Sequence, residues 1–183
     1  MSERAPEPAF ELDVLLSRDA VAARVQALAE QIAPSLDESA VAVCLLVGGL
    51  WFASDLTRAL AELGKPLAFD SLWLSSYGDG QESRGRCEVR AGLQRSVKGR
   101  TVLIMDDVFD TGLSLLEAAR HLSEAGAARV LTAVFARKPW PEPRALVPEF
   151  VAWEAPGRFL LGYGMDYGGL YRGLPHIAAV KGA

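Results

Sequence analysis

The segment that most limits the possible folds is Thr101 to Ser114, TVLIMDDVFDTGLS, where an unbroken apolar run passes directly into two adjacent aspartates and a glycine turn. A strand with one wet face alternates apolar and polar residues. Val102-Leu103-Ile104-Met105 does not, which predicts a strand covered on both faces, the situation of a central strand in a parallel sheet. Similar runs predict strands over 41–47, 67–74 and 130–135.

Helical patterns fall between them. Val21, Val25, Leu28 and Ile32 stand at i, i+4, i+7 and i+11, with Ser17 placed to cap the start and Pro34 beyond the end. A second helical segment runs over 51–63 to Gly64, and a third carries Leu115, Leu116, Ala119 and Leu122 up to Gly126. Strands alternating with helices predict an α/β fold with a parallel, doubly wound sheet. The polar start of the chain is expected to fray. Residues 75–100, rich in glycine and charge, predict a mobile functional loop, with room for a short hairpin. Beyond Arg137 four prolines lie between Pro139 and Pro148, and two short apolar pieces follow at 150–153 and 159–161. The expectation is a single domain over 1–183, with a core over 10–136 and a small C-terminal hood over 137–183 lying on the sheet edge.

At 183 residues the chain suits one domain with a continuous core. Its 50% hydrophobic and 23% charged residues, with a mean hydropathy of +0.15, exclude disorder for the bulk of it. Nineteen Lys and Arg against 23 Asp and Glu give a formal charge of −4 and a pI near 5.3, without the basic excess that phosphate-backbone binding needs, so no nucleic-acid partner is expected. No stretch approaches the ~20 apolar residues of a membrane span, and residues 2–9 lack the apolar centre of a signal peptide, which predicts a cytoplasmic protein with no membrane partner. Cys44 and Cys87 have no CxxC spacing, and Cys44 sits inside an apolar run, so no disulfide is expected.

The chemistry concentrates at the end of the central strand. Open α/β sheets bind ligands at the carboxyl ends of their strands, where Asp106 and Asp107 fall. The turn that follows brings Thr111, Gly112, Leu113 and Ser114 to a helix N-terminus, whose free N–H groups and two hydroxyls can converge on a phosphate. Carboxylates beside a phosphate cradle suit a sugar phosphate: the pair can take ribose hydroxyls or Mg²⁺, leaving Asp110 near the reacting atom. A single Asp or Thr before a helix is most often a cap, but three carboxylates with Thr-Gly and Ser after an apolar strand exceed what capping requires. A response-regulator receiver also carries an acidic pair and a Lys-Pro. Here Lys138-Pro139 follows Asp106 by only 32 residues, which leaves no room for a strand bearing a phospho-acceptor.

VLIMDDVFDTGLSL resembles the phosphoribosyl-pyrophosphate motif of type I phosphoribosyltransferases. LLVGGLWFASDL at 45–56 is similar to the pyrophosphate loop of the hypoxanthine-guanine phosphoribosyltransferases, Ser75-Ser76-Tyr77-Gly78 to their flexible loop, and Lys138-Pro139 to their base-recognition segment. EFVAWEAPGRFLLGYGMDYGGLYRGLPHI at 149–177 resembles their hood, so the resemblance spans roughly 13–180 in the family's order. It implies transfer of phosphoribosyl from phosphoribosyl pyrophosphate to hypoxanthine or guanine, giving IMP or GMP and pyrophosphate. Xanthine stays open as a third base.

By that resemblance Asp106 and Asp107 bind the ribose hydroxyls and Mg²⁺, Thr111 to Ser114 bind the 5′-phosphate, and Asp110 serves purine N7 as general base or acid. Lys138 donates to the purine O6, which selects against 6-amino purines. Phe159 stacks on the base, the Leu160 backbone meets its C2 edge, Asp166 coordinates a second Mg²⁺, and Arg172 clamps pyrophosphate. Val47 and Gly48 offer amides to pyrophosphate, with a cis peptide expected before Val47, and Ser76 and Tyr77 belong to the loop. A homodimer or homotetramer is implied. The family carries Glu-Asp where this chain has Asp106-Asp107, and a basic residue where it has Val47. The rival reading is a regulator that keeps the phosphoribosyl-pyrophosphate site as a sensor and binds RNA or DNA.

Overall fold

The computed structural model describes residues 11–76 and 87–181. Its strands are β1 (Leu12–Leu16), β2 (Val41–Leu46), β3 (Ala68–Ser76), β4 (Cys87–Ala91), β5 (Thr101–Phe109), β6 (Arg129–Arg137), β7 (Phe150–Glu154), β8 (Leu160–Leu161) and β9 (Ile177–Val180). Its helices are α1 (Arg18–Ile32), α2 (Leu50–Glu62) and α3 (Leu113–Glu124), with a 3₁₀ turn at Ala33–Ser35. Ser17 caps α1 by accepting from the Ala20 amide at 3.2 Å, and Val21, Val25, Leu28 and Ile32 are buried as their spacing predicts.

Six strands form the main sheet in the order β4-β3-β2-β5-β6-β7, parallel throughout except for the β3–β4 pair. Both faces are covered, which is why β5 reads as a continuous apolar run. Leu103 and Met105 pack with Leu28, Phe52 and Leu56 of α1 and α2, whereas Val102 and Ile104 pack with Leu115, Ala118 and Leu122 of α3. The doubly wound sheet expected from the alternation of elements is therefore present. Burying one such aliphatic or aromatic side chain stabilises the fold by roughly 1.5–3 kcal/mol.

Residues 12–16, to which the sequence pattern assigns no element, form β1, which pairs antiparallel with β9, and β8 completes a second, three-stranded sheet in the order β1-β9-β8. Two expectations need correction. The piece at 150–154 is not in a flap over the edge: as β7 it pairs parallel with β6 and extends the main sheet. β5 runs four residues past the apolar run to Phe109, carrying the aspartates inside the strand. Within 75–100, β4 pairs antiparallel with β3, the hairpin that the loop had room for.

One polar anchor holds the start of β5. The Asp37 carboxylate accepts from the Ser39 hydroxyl and amide and from the Thr101 hydroxyl, and these bonds, Ser39 first, hold its pKa down from 3.8 to about 2. A depressed carboxylate stabilises the fold above its unfolded pKa and loses that contribution as pH falls through its folded one. Asp37→Asn is thus expected to be less stable than the parent at pH 6, with the gap closing between pH 4 and pH 2. Urea melts across that range check it, and a gap that does not change with pH would contradict it.

Candidate active site

The register of the sheet creates the crevice. β2 pairs with β5 only as far as Cys44 opposite Met105, whereas β6 stays paired through Arg137 opposite Phe109. Asp106 and Asp107 therefore sit on β5 just past the last β2 partner, at the point where the chain turns to opposite sides of the sheet, β3 on one side and β5 on the other. The gap beside them is filled by backbone. The Leu46–Val47 bond is cis, as the resemblance implied, and Gly48 comes so close that a Cβ there would stand 2.2 Å from Asp107 Oδ2.

The two carboxylates accept backbone hydrogen bonds, Asp106 from the Asp107 amide at 3.0 Å and Asp107 from the Val108 amide at 2.9 Å. Burial first, then the neighbouring Asp107 charge, push the Asp106 carboxyl well above the ordinary carboxylate range. Burial raises Asp107 as well, opposed by hydrogen bonds from Asp106 and Val108 and by the Arg172 cation. Two adjacent oxygen donors short of positive charge suit Mg²⁺, which is held by one or two carboxylates and completed by water and substrate phosphate. Among the described residues no group of three or more His, Cys, Asp or Glu converges on a metal position. Burial and the same two aspartates push the Cys44 thiol up to about 12, and Cys44 is free, so it behaves as an inert apolar group.

The turn opens α3 as anticipated. Gly112 is the N-cap residue at φ +83°, and a Cβ there would stand 2.8 Å from the Phe109 ring, so only glycine fits without displacing the ring. Thr111 Oγ1 accepts from the Leu113 amide at 3.4 Å. Thr111, Gly112 and Ser114 face a cavity of about 410 Å³, which Asp106, Asp107 and Asp110 also line. Leu113 and Val47 do not line it, and both side chains are exposed.

The opposite wall comes from β6 and the hood. Lys138 Nζ donates to Asp110 Oδ2 at 3.0 Å, a pair in which the lysine is mostly shielded and the aspartate half open. Phe159 is exposed beside the cavity and meets Tyr167 edge to face at 5.9 Å, whereas Leu160 is buried in β8. Arg172 reaches across the hood, donating through Nη1 to the Gly164 carbonyl at 2.5 Å and pairing through Nη2 with Asp166 at 2.6 Å. The hood is seated by Tyr163, whose ring meets Phe135 edge to face at 5.0 Å and whose hydroxyl donates to Asp55 on α2 at 2.9 Å.

One cavity thus gathers Gly48, the three aspartates of β5 and its turn, Lys138, Phe159, Leu160, Asp166 and Arg172. The Ser76 backbone ends β3, and Tyr77 lies outside the described residues. Two residues at the site escaped the sequence. Met165 lines the cavity from the hood, and Arg144, the only basic residue between Pro139 and Pro148, binds the backbone of Asp110 and Lys138.

A carboxylate pair at the switch point of a doubly wound sheet, beside a helix N-terminus open to an anion, has the chemistry that suits a phosphorylated sugar. Residues 12–151 match the family model for the phosphoribosyl transferase domain, and the chain belongs to that family. The hypoxanthine-guanine phosphoribosyltransferase of Aquifex aeolicus (strain VF5) is 34% identical over 172 residues, covering 93% of this chain and 95% of its own. That of Bacillus subtilis (strain 168) is 32% identical over 171 residues, covering 93% of each. Among solved structures, the hypoxanthine phosphoribosyl transferase of Trypanosoma cruzi superposes with a TM-score of 0.87 at 28% identity, over 96% of this chain and 94% of its own. The Staphylococcus aureus hypoxanthine phosphoribosyltransferase gives 0.85 at 29% identity, over 92% and 91%.

Proposed function

We propose that the protein transfers the 5-phosphoribosyl group of phosphoribosyl pyrophosphate to hypoxanthine or guanine, releasing pyrophosphate and forming IMP or GMP, a purine-salvage reaction. The observation that carries this is the single cavity in which a carboxylate pair and a helix N-terminus face the Lys138–Asp110 pair and the open Phe159 ring. The first two suit a sugar phosphate and the last two suit a 6-oxopurine. The named relatives described above, all hypoxanthine or hypoxanthine-guanine phosphoribosyltransferases, support the same reading. No observation here favours the nucleic-acid-binding regulator.

In this mechanism the amides and hydroxyls of Thr111 to Ser114 hold the 5′-phosphate, and Asp106 and Asp107 orient the ribose hydroxyls. Asp106 and Asp107, and at a second position Asp166, would hold Mg²⁺, which would supply charge neutralisation on the departing pyrophosphate. Gly48 and Val47 present amides to that pyrophosphate, and Arg172 clamps it. The base stacks on Phe159 with its C2 edge at the Leu160 backbone. Its O6 and N7 then meet the two partners of an existing ion pair: Lys138 turns its ammonium to O6 while the Asp110 carboxylate takes the N7 proton as N9 bonds to the anomeric carbon. Ser76 and Tyr77 contribute from the loop. Val47 lacks a cation, but the amide contact proposed for it does not need one.

The protein is read as cytoplasmic; among the described residues no helix is long and apolar enough to cross a membrane. It is also read as a homodimer or homotetramer. Phe69 and Trp73, exposed on one face of β3, and Val47 and Leu50 beyond the end of β2 support a second copy there. The test is an assay of hypoxanthine, guanine, xanthine and adenine with phosphoribosyl pyrophosphate and Mg²⁺. Adenine, which offers no acceptor at position 6, is expected to be poor. Lys138→Ala should lower kcat/KM for hypoxanthine by about 10²–10³, because a lost donor to a developing oxyanion has that effect. Equal use of adenine and hypoxanthine by the parent would give Lys138 a different task.

A further inference from the structure

Asp110 and Lys138 are the first residues past the last β5–β6 pair, Phe109 opposite Arg137. One ladder-like bond persists beyond it, from the Lys138 amide to the Phe109 carbonyl at 3.0 Å. The carbonyls of Asp110 and Lys138 are instead both taken by one side chain. Arg144 Nε donates to the Asp110 carbonyl at 2.7 Å and its Nη2 donates to the Lys138 carbonyl at 2.6 Å. The same guanidinium lies over the Phe109 ring, its central carbon 4.5 Å from the ring centroid, and Gly112 also lies close to that ring. Arg144 is half-buried and arises from the segment joining β6 to β7, so it reaches the pair from outside the two strands that carry it.

We propose that Arg144 is a positioning residue, whose rigid fork sets the spacing and aim of the Asp110 carboxylate and the Lys138 ammonium. This rests on the roles given above to those two side chains. A guanidinium is planar, and its donors are fixed relative to one another, so binding two carbonyls at once fixes the distance between two backbone points. Those points are the roots of the two groups that must reach N7 and O6 of one purine ring, whose own separation is invariable. The stack on Phe109 holds the fork against the strand end, a favourable place for a cation on an aromatic face. An ammonium in its place keeps the charge and the apolar stem but cannot reproduce the two fixed bonds.

The experiment is a double-mutant cycle with Arg144→Lys and Asp110→Asn, reading kcat and the KM for phosphoribosyl pyrophosphate. Arg144→Gln serves as a second variant, and melting curves check the fold of each. Arg144→Lys should lower kcat by about tenfold or more, the effect of misplacing a reacting group by a fraction of an ångström. The KM for phosphoribosyl pyrophosphate should stay within about twofold. In the Asp110→Asn background the same change should cost clearly less kcat than it does in the parent, since only the Lys138 end of the fork is left to position. A loss of the same size in both backgrounds would overturn the proposal. So would a parent-like kcat in Arg144→Lys while Asp110→Asn is slow. Parent-like turnover in Asp110→Asn alone would remove the role of Asp110 itself, and the proposal with it, so failure of the functional reading shows in that single variant and failure of the Arg144 inference in the cycle.

Discussion

Asp110→Asn is expected to lower kcat by about 10²–10⁴ while leaving phosphoribosyl-pyrophosphate binding close to that of the parent, the range for loss of a general acid–base group. The substitution is nearly isosteric. Asn keeps an oxygen that accepts from Lys138 Nζ, now 3.0 Å from Asp110 Oδ2, and it leaves untouched the Asp110 carbonyl that Arg144 holds. What it loses is the capacity to take a proton from N7. The 5′-phosphate cradle at Thr111 to Ser114 and the carboxylate pair at Asp106 and Asp107 are unaltered, so the damage falls on turnover. Calorimetric titration of phosphoribosyl pyrophosphate alongside steady-state rates with hypoxanthine separates the two, and a variant that binds weakly yet turns over normally would contradict the assignment.

Gly164→Ala should be strongly damaging, because it sets the hood against the loop at Gly48. Gly164 lies at φ +103°, and a Cβ there would stand 2.1 Å from the Gly48 carbonyl oxygen and 3.3 Å from Asp107 Cβ. The closer obstacle is backbone, which cannot rotate aside. The hood would have to lift off the pyrophosphate loop, taking with it the carbonyl that Arg172 grips. A stability loss of about 3 kcal/mol or more is expected, from overpacking added to backbone strain, together with a fall in kcat/KM. Gly168→Ala is the control: φ is +58° and nothing lies within 4 Å of the added atom, so only the left-handed backbone cost of about 1–2 kcal/mol remains. Equal losses in the two variants would show that close approach to Gly48 has no part in seating the hood.

How far the sequence reveals this molecule depends on whether the determinants are neighbours along the chain. β5 is legible because both its faces are covered, and α1 because its stripe faces one core and its cap is a serine. The aspartates, Thr111, Gly112 and Ser114 are legible as a group because strand end, turn and helix start lie within nine residues. β1 is not, because its five residues gain strand character only from pairing with β9 across almost the whole chain, and β9 is a run of only four. β7 is hidden for a similar reason: its partner β6 lies across a proline-rich connection. Arg144 is illegible on different grounds, since it binds two backbone carbonyls and a ring, and carbonyls carry no side-chain signature. The resemblance names Asp110 and Lys138 separately; only the structure shows them as a pair.

The small sheet also bears on when the protein becomes competent. β5, the turn and α3 are contiguous, so the cradle for the sugar phosphate closes only short loops, whereas the hood needs Leu12 beside Val180 and Val14 beside Ala178. Contacts between distant residues carry a larger loop-closure entropy and form late. A nascent chain therefore acquires the β5–α3 turn proposed to hold the phosphate first and the hood proposed to cover the base later, after β9 has left the ribosome and met a strand made about 165 residues earlier. During synthesis there is an interval in which the β5–α3 half of the proposed site is built and the hood proposed to stack the purine is not, so catalysis waits on the small sheet.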